Sequence, residues 1–130
     1  MSRSPDLATF EALAAVAYDG LPAAFRALTG DILIQIADFP DEDTLKVMEC
    51  RTPFDLLGLF QGIGLAQDGA VPMTDQPPNM IWLYRRPILD YWAEHDETLG
   101  RIIAHVLIHE IGHHFGLSDD DMEALEAYVS

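Results

Sequence analysis

Positive charge is scarce in this chain. Seven Lys and Arg residues stand against 22 Asp and Glu among 130 residues, a formal charge of −15. Nucleic-acid phosphates and anionic membranes need a basic surface, so neither is an expected partner. An acidic surface favours solubility and accepts neutral or basic peptides. Cysteine is nearly missing: Cys50 stands alone, which excludes an internal disulfide framework and fits a reducing compartment. No apolar run approaches the ~20 residues of a membrane-spanning helix. The N-terminal stretch MSRSPDLATFEALAAVAY has Asp6 and Glu11 where a secretory leader would be apolar. A cytoplasmic protein is expected.

Apolar residues are plentiful, at 49%, enough for one core, and the length suits a single domain over residues 1–130. SPDLATFEALAAVAYDG reads as a helix capped by Ser4, with Leu7, Phe10, Leu13, Ala14 and Ala17 at helical spacing. LPAAFRALTG reads as a shorter one. DILIQIADF alternates as a strand, with Ile32, Ile34 and Ile36 on one side. PDEDTLKVMEC has room for one helical turn. PFDLLGLFQGIGL is apolar but interrupted by glycine, and reads as a loop with short extended parts. AQDGAVPMTDQPPN is a surface loop by its Gly, Pro, Asp and Asn content. MIWLYRR is a second strand, and PILDYWAEHD a short helix begun by Pro87. The longest predicted helix runs from Glu97 to Phe115, with Gly116 as its stop. SDDDMEALEAYV is the last, capped by Ser118 or Asp119.

The chemistry concentrates in HVLIHEIGHHFGLSDDDMEAL, which holds four of the five histidines. A helix turns ~100° per residue, so His109 and His113, four apart, project from one face. Two imidazoles so placed share a zinc ion at ~2.0–2.1 Å. Glu110, one step round, flanks the pair and reaches a water on the metal without ligating it. Metal-assisted hydrolysis asks for two fixed ligands with a base beside the activated water. Ile102, Ile103, Val106, Leu107, Ile108 and Ile111 surround the helix axis, which places it in the interior. Polar groups on a buried helix need partners, and a metal would satisfy the histidine pair. The motif continues as His109-Glu110-x-x-His113-x-x-Gly116-x-x-Asp119. The glycine turns the chain and the acid comes back toward the metal.

On these residues the chain resembles the zincin metallopeptidases, and in particular the small bacterial zincin-like family called minimal zincins. HEIGHHFGLSDDDM is similar to that family's signature. FEALAAVAYDGLPAAF is similar to its first two helices, ILIQIADFP to its first strand, LLGLFQG to its central loop and IWLYRRPIL to its later strand. The resemblance implies His109 and His113 as ligands, Glu110 as general base and Asp119 as the third protein ligand. Asp120, Asp121 and Glu123 compete with Asp119, and Glu123 would be the solution of zincins that use a glutamate on the following helix. Asp119 also has an ordinary reading as a helix cap. Met122 and Met80 are candidates for a methionine turn, with core packing the plainer role for both.

The remaining residues have plainer readings. His105, one turn before His109, reads as a hydrogen-bonded core histidine, although a carboxylate partner is possible for it. His114 points away from the pair, and His95 sits in a polar turn. Asp90, Asp96, Asp120 and Asp121 read as solvated charges. Zincins add extended substrate to a sheet edge beside the active helix. MIWLYRR is the candidate edge, with Tyr84, Arg85 and Arg86 as candidate oxyanion partners. The expected fold is α+β: one minimal zincin-like domain, its small mixed sheet packed on a buried active-site helix with other helices around it. The expected function is zinc-dependent hydrolysis of a peptide or protein substrate. The rival is a zinc-binding protein with little or no peptidase activity, acting as a regulatory or interaction module. Nickel or cobalt would suit the same histidines.

Overall fold

Branched and aromatic residues place three short strands: β1 (Ile32–Ala37), β2 (Gly58–Gln61) and β3 (Asn79–Tyr84). They are seen in a computed structural model that describes residues 5–61 and 79–129. The strand order is β1-β3-β2. β3 pairs parallel with β1, Ile34 opposite Ile81, and antiparallel with β2, Phe60 opposite Ile81. MIWLYRR, expected at the edge, is therefore the middle strand. Its pairing with two strands explains the difference. Ile81 and Leu83 are wholly buried on one face, and Tyr84 is 4% exposed on the other. Met80 and Trp82 share the Tyr84 face and are partly buried, and pairing along both edges makes β3 the centre of the sheet. The edges are β1 and β2, and β2 is a short extended part of the glycine-interrupted segment, as expected there. The loop expected at AQDGAVPMTDQPPN, save Asn79, lies outside the described residues.

α1 (Leu7–Asp19) is capped by Asp6, whose side chain accepts from the Thr9 amide at 2.8 Å. Ser4, the expected cap, lies outside the described residues. Phe10 and Ala14 of α1 enter the core, while Leu7 is exposed in its first turn. α2 (Ala23–Arg26) is a single turn that buries Phe25. After it, buried Thr29 donates to the Arg26 carbonyl at 2.9 Å and meets the Tyr18 hydroxyl at 2.7 Å. α3 (Glu42–Val47) is capped by Asp41. α4 (Arg85–Glu94) begins directly at the end of β3, two residues before the expected Pro87. Pro87 still sits in the first turn, where its missing N–H is not needed. Arg85 ties this corner together, donating to Asp38 and to the Pro5 carbonyl, each at 2.8 Å.

α5 (Leu99–His114) is the longest helix. Thr98 caps it, accepting from the Arg101 amide at 3.2 Å. α6 (Asp119–Tyr128) closes the described chain. The sheet lays Phe60, Ile81 and Leu83 into one core with Ile103, Leu107 and Ile111 of α5, and α1 packs on the same helix. The fold is α+β, a three-stranded mixed sheet with six helices among the described residues. No described helix is long and apolar enough to cross a membrane.

Candidate metal centre

Leu99, Ile102, Ile103, Ala104, Val106, Leu107, Ile108, Ile111 and Gly112 of α5 are all buried. Arg101, His105, His109 and His113, each four residues from the next, form a stripe that is not buried, with Gly100, Glu110 and His114 outside it also not fully buried. His105 and His109 are half-buried and His113 is exposed. The helix is thus an apolar core element with an imidazole row open along one side.

A short turn then brings α6 back along that row. Gly116, at φ +74°, takes the left-handed position after the last turn of α5. The Gly116 amide donates to the His113 carbonyl at 3.2 Å and the Leu117 amide to the Gly112 carbonyl at 2.9 Å. This paired closure is the Schellman motif, and only glycine enters it without steric cost. Ser118 and Asp121 then form a capping box at the start of α6. Ser118 is therefore the cap; Asp119 is the first helical residue, and the Asp121 carboxylate is used by the backbone. Met122 packs against Gly112, where an added Cβ would meet its sulfur at 2.8 Å. Farther along α6, Glu126 reaches the middle of α5. Residues later in α6 meet residues earlier in α5, so the two helices run antiparallel.

Glu126 gathers two of the histidines. Its Oε2 is in contact with His105 Nδ1 and lies 3.3 Å from His109 Nε2. The ligand atoms of His105, His109 and Glu126 all lie within 4.8 Å of one another. The rings of His105 and His109 are 4.2 Å apart, those of His109 and His113 5.7 Å. Burial holds the His109 pKa below its ordinary value, aided by His105 and His113 and opposed by Glu126. A neutral imidazole is the form that ligates a metal. Two imidazoles and a carboxylate are donors that suit zinc, so the residues present fit the ion. Asp119 and Glu123 are both exposed on α6, outside the Glu126 cluster. His105 is not the core histidine expected from the sequence, because the return of α6 gives it a carboxylate partner. Glu126 was missed altogether. Its one sequence signal is the seven-residue interval from Asp119, which returns a helix to nearly the same face.

On the other side of α5, β2 comes into close contact. A Cβ on Gly58 would meet Val106 Cγ1 at 2.7 Å, the Trp82 carbonyl oxygen at 2.9 Å and Glu110 Cγ at 3.5 Å. The absent side chain lets the strand lie against the stem of Glu110. Removal from water raises the Glu110 pKa to about 7, which suits proton exchange near neutrality. Tyr84 is buried at the end of β3. Burial first, then the charges of Asp41, Glu110 and Cys50, raise its pKa to about 12. Its phenol stays protonated and able to donate a hydrogen bond.

The other candidates take structural places. Arg85 is committed to Asp38 and Pro5, and Arg86 is exposed. The His114 ring packs on Phe60, with centroids 4.4 Å apart. His95 is exposed and stacks on Tyr91. Asp90, Asp96 and Asp120 are exposed. Met122 is a core residue at 3% exposure, and Met80 lies within β3.

Comparison with curated proteins finds no match. Residues 29–128, which span β1 through α6, match the sequence profile of the Zincin-like metallopeptidase family. The chain belongs to the zincin-like metallopeptidase family.

Proposed function

We propose that the protein is a zinc-dependent metallopeptidase. Its ligands are His109 and His113 of α5 and Asp119 at the start of α6, and Glu110 is its general base. When bound, zinc supplies Lewis-acid polarisation of a carbonyl and of water. Glu110 takes a proton from the attacking water and passes it to the leaving amine. An extended peptide adds to the β2 side of the sheet, where Gly58 leaves the strand against Glu110. Tyr84, kept protonated by burial, is the candidate hydrogen-bond donor to the developing oxyanion.

The observation that carries this reading is the placement of Glu110. It is the one carboxylate on α5 drawn out of water, with a pKa raised to about 7, immediately after a histidine of the half-exposed row. A second reading, a zinc-binding protein without peptidase activity, gains support from Glu126. A further carboxylate beside His109 would close a coordination sphere that catalysis needs open.

The test measures bound zinc and peptide cleavage together on wild type and Glu110→Gln, using a broad fluorogenic peptide library. Zinc retained and hydrolysis lowered by at least ~100-fold in the variant is the expected result, the scale of a lost acid–base group. A zinc-loaded wild type that cuts nothing in the library overturns the peptidase reading and leaves the second one standing.

A further inference from the structure

His105, His109 and His113 form a row with steps of four along α5. On the antiparallel α6, Asp119, Glu123 and Glu126 follow one another at steps of four and three. Both spacings return a helix to nearly one face. The family motif uses the His113 and Asp119 ends of these rows. At the other end the structure brings His109 of that motif together with two side chains outside it, His105 and Glu126. Glu126 Oε2 touches His105 Nδ1 and lies 3.3 Å from His109 Nε2. All three ligand atoms lie within 4.8 Å of one another.

We propose that His105, His109 and Glu126 form a second seat for a divalent transition metal. It overlaps the seat of the family motif at His109. Two imidazoles and a carboxylate suit Zn2+, Co2+ or Ni2+. The three side chains are 44%, 38% and 29% exposed, so an ion reaches them from solution. A neutral imidazole has one lone pair to donate, so His109 serves one ion at a time. The seats are therefore alternatives, one helical turn apart (~5.4 Å) along α5. An ion in the second seat leaves His113 unused. The chain thus holds metal in a form distinct from the one its motif builds, and the distribution of the ion between the seats governs how much of the protein is competent for chemistry.

This inference rests on the metal-binding half of the function proposed above and not on peptide cleavage. A wild type that cuts no peptide leaves the following titration unaffected, and a failed titration leaves the cleavage assay unaffected. The full chain is stripped with a chelator and titrated with Co2+, followed by its visible spectrum, and with Zn2+, followed by calorimetry. Wild type, His113→Ala, His113→Ala/Glu126→Gln and His109→Ala are compared, each checked for folding by circular dichroism. His113→Ala is expected to bind one ion per chain with a changed Co2+ spectrum. Adding Glu126→Gln is expected to weaken that binding by at least ~10-fold, toward His109→Ala, which lacks a ligand of both seats. A folded His113→Ala that binds no better than His109→Ala overturns the proposal. So does binding by His113→Ala that Glu126→Gln leaves unchanged. Should His113→Ala not fold, the same outcomes are read on Asp119→Ala and its Glu126→Gln double variant, since Asp119 is exposed.

Discussion

α5 is approached from two sides at a glycine, and the two contacts differ in what they meet. On the sheet side, Gly58 lies against a backbone carbonyl, that of Trp82, and a β-branched side chain, Val106. On the α6 side, Gly112 lies against the end of a methionine side chain, Met122. Neither a strand carbonyl nor a branched stem moves readily, whereas a thioether has three rotatable bonds. The side that holds Glu110 is thus built tightly, and the side that presents the α6 carboxylates is built to adjust. A base must sit within hydrogen-bond reach of its water, and a misplacement of about 1 Å costs roughly 100-fold in rate. Ligands that can be drawn onto an ion tolerate more slack.

The largest effect that would sharpen this contrast is expected from Gly58→Ala. Overpacking against backbone should cost about 1–3 kcal/mol in a urea titration. Displacing β2 from Glu110 should lower hydrolysis by roughly 100-fold while zinc stays bound. Unchanged unfolding and unchanged hydrolysis would show that the sheet side is as pliant as the other. Gly112→Ala should cost less than ~1 kcal/mol, because the thioether can turn aside and alanine is the better helix former by ~1 kcal/mol. In a Met122→Ala background the same substitution should become stabilising, which a double-mutant cycle reads directly. A cost as large as that of Gly58→Ala, with no change of sign in the cycle, would erase the distinction.

A pH dependence is also expected from Glu110 on the sheet side. Burial raises the Glu110 carboxyl from 4.5 to about 7 in the folded chain. Between those values the fold holds a proton that the unfolded chain has released. This contribution to the stability of metal-free protein is fully present below about pH 4.5 and is lost as pH rises through about 7. His109, whose pKa burial lowers, gives the opposite slope. The difference between wild type and Glu110→Gln, measured by urea unfolding from pH 5 to 8, isolates the carboxyl. Wild type should lose stability relative to the variant across that range, and parallel curves would show that Glu110 is not desolvated.

Elements whose pattern is local were legible in the sequence. Ile32, Ile34 and Ile36 do pack toward the core, and Thr98 starts the long helix within two residues of the expected Glu97. Gly116 stops it by a backbone conformation that other residues rarely adopt. What depends on neighbours was not legible. β2 is four residues long and begins at a glycine, so it shows little alternation of its own and is defined by pairing with β3. The central position of β3 could not be read from β3 alone. Asp6 caps α1, a role that several residue types near a helix start suit equally in sequence. At the site, the row of His109 and His113 with Glu110 beside it follows from helical geometry within one segment. Glu126 does not. Its proximity to His105 and His109 exists only because a second helix runs back along the first, a tertiary fact that spacing within either helix cannot state.

The Schellman turn that joins the two helices has a consequence for this arrangement. Together with the capping box it sets the phase of α6 relative to α5, as the keyed joint of a crankshaft sets one throw against another. Met122 follows Ser118 by four residues and Glu126 follows Met122 by four, so both lie on nearly one face of α6. The seating of Met122 on Gly112 therefore also turns Glu126 toward the histidines of α5. The joint and its first core contact aim that carboxylate as a gunsight aims a barrel.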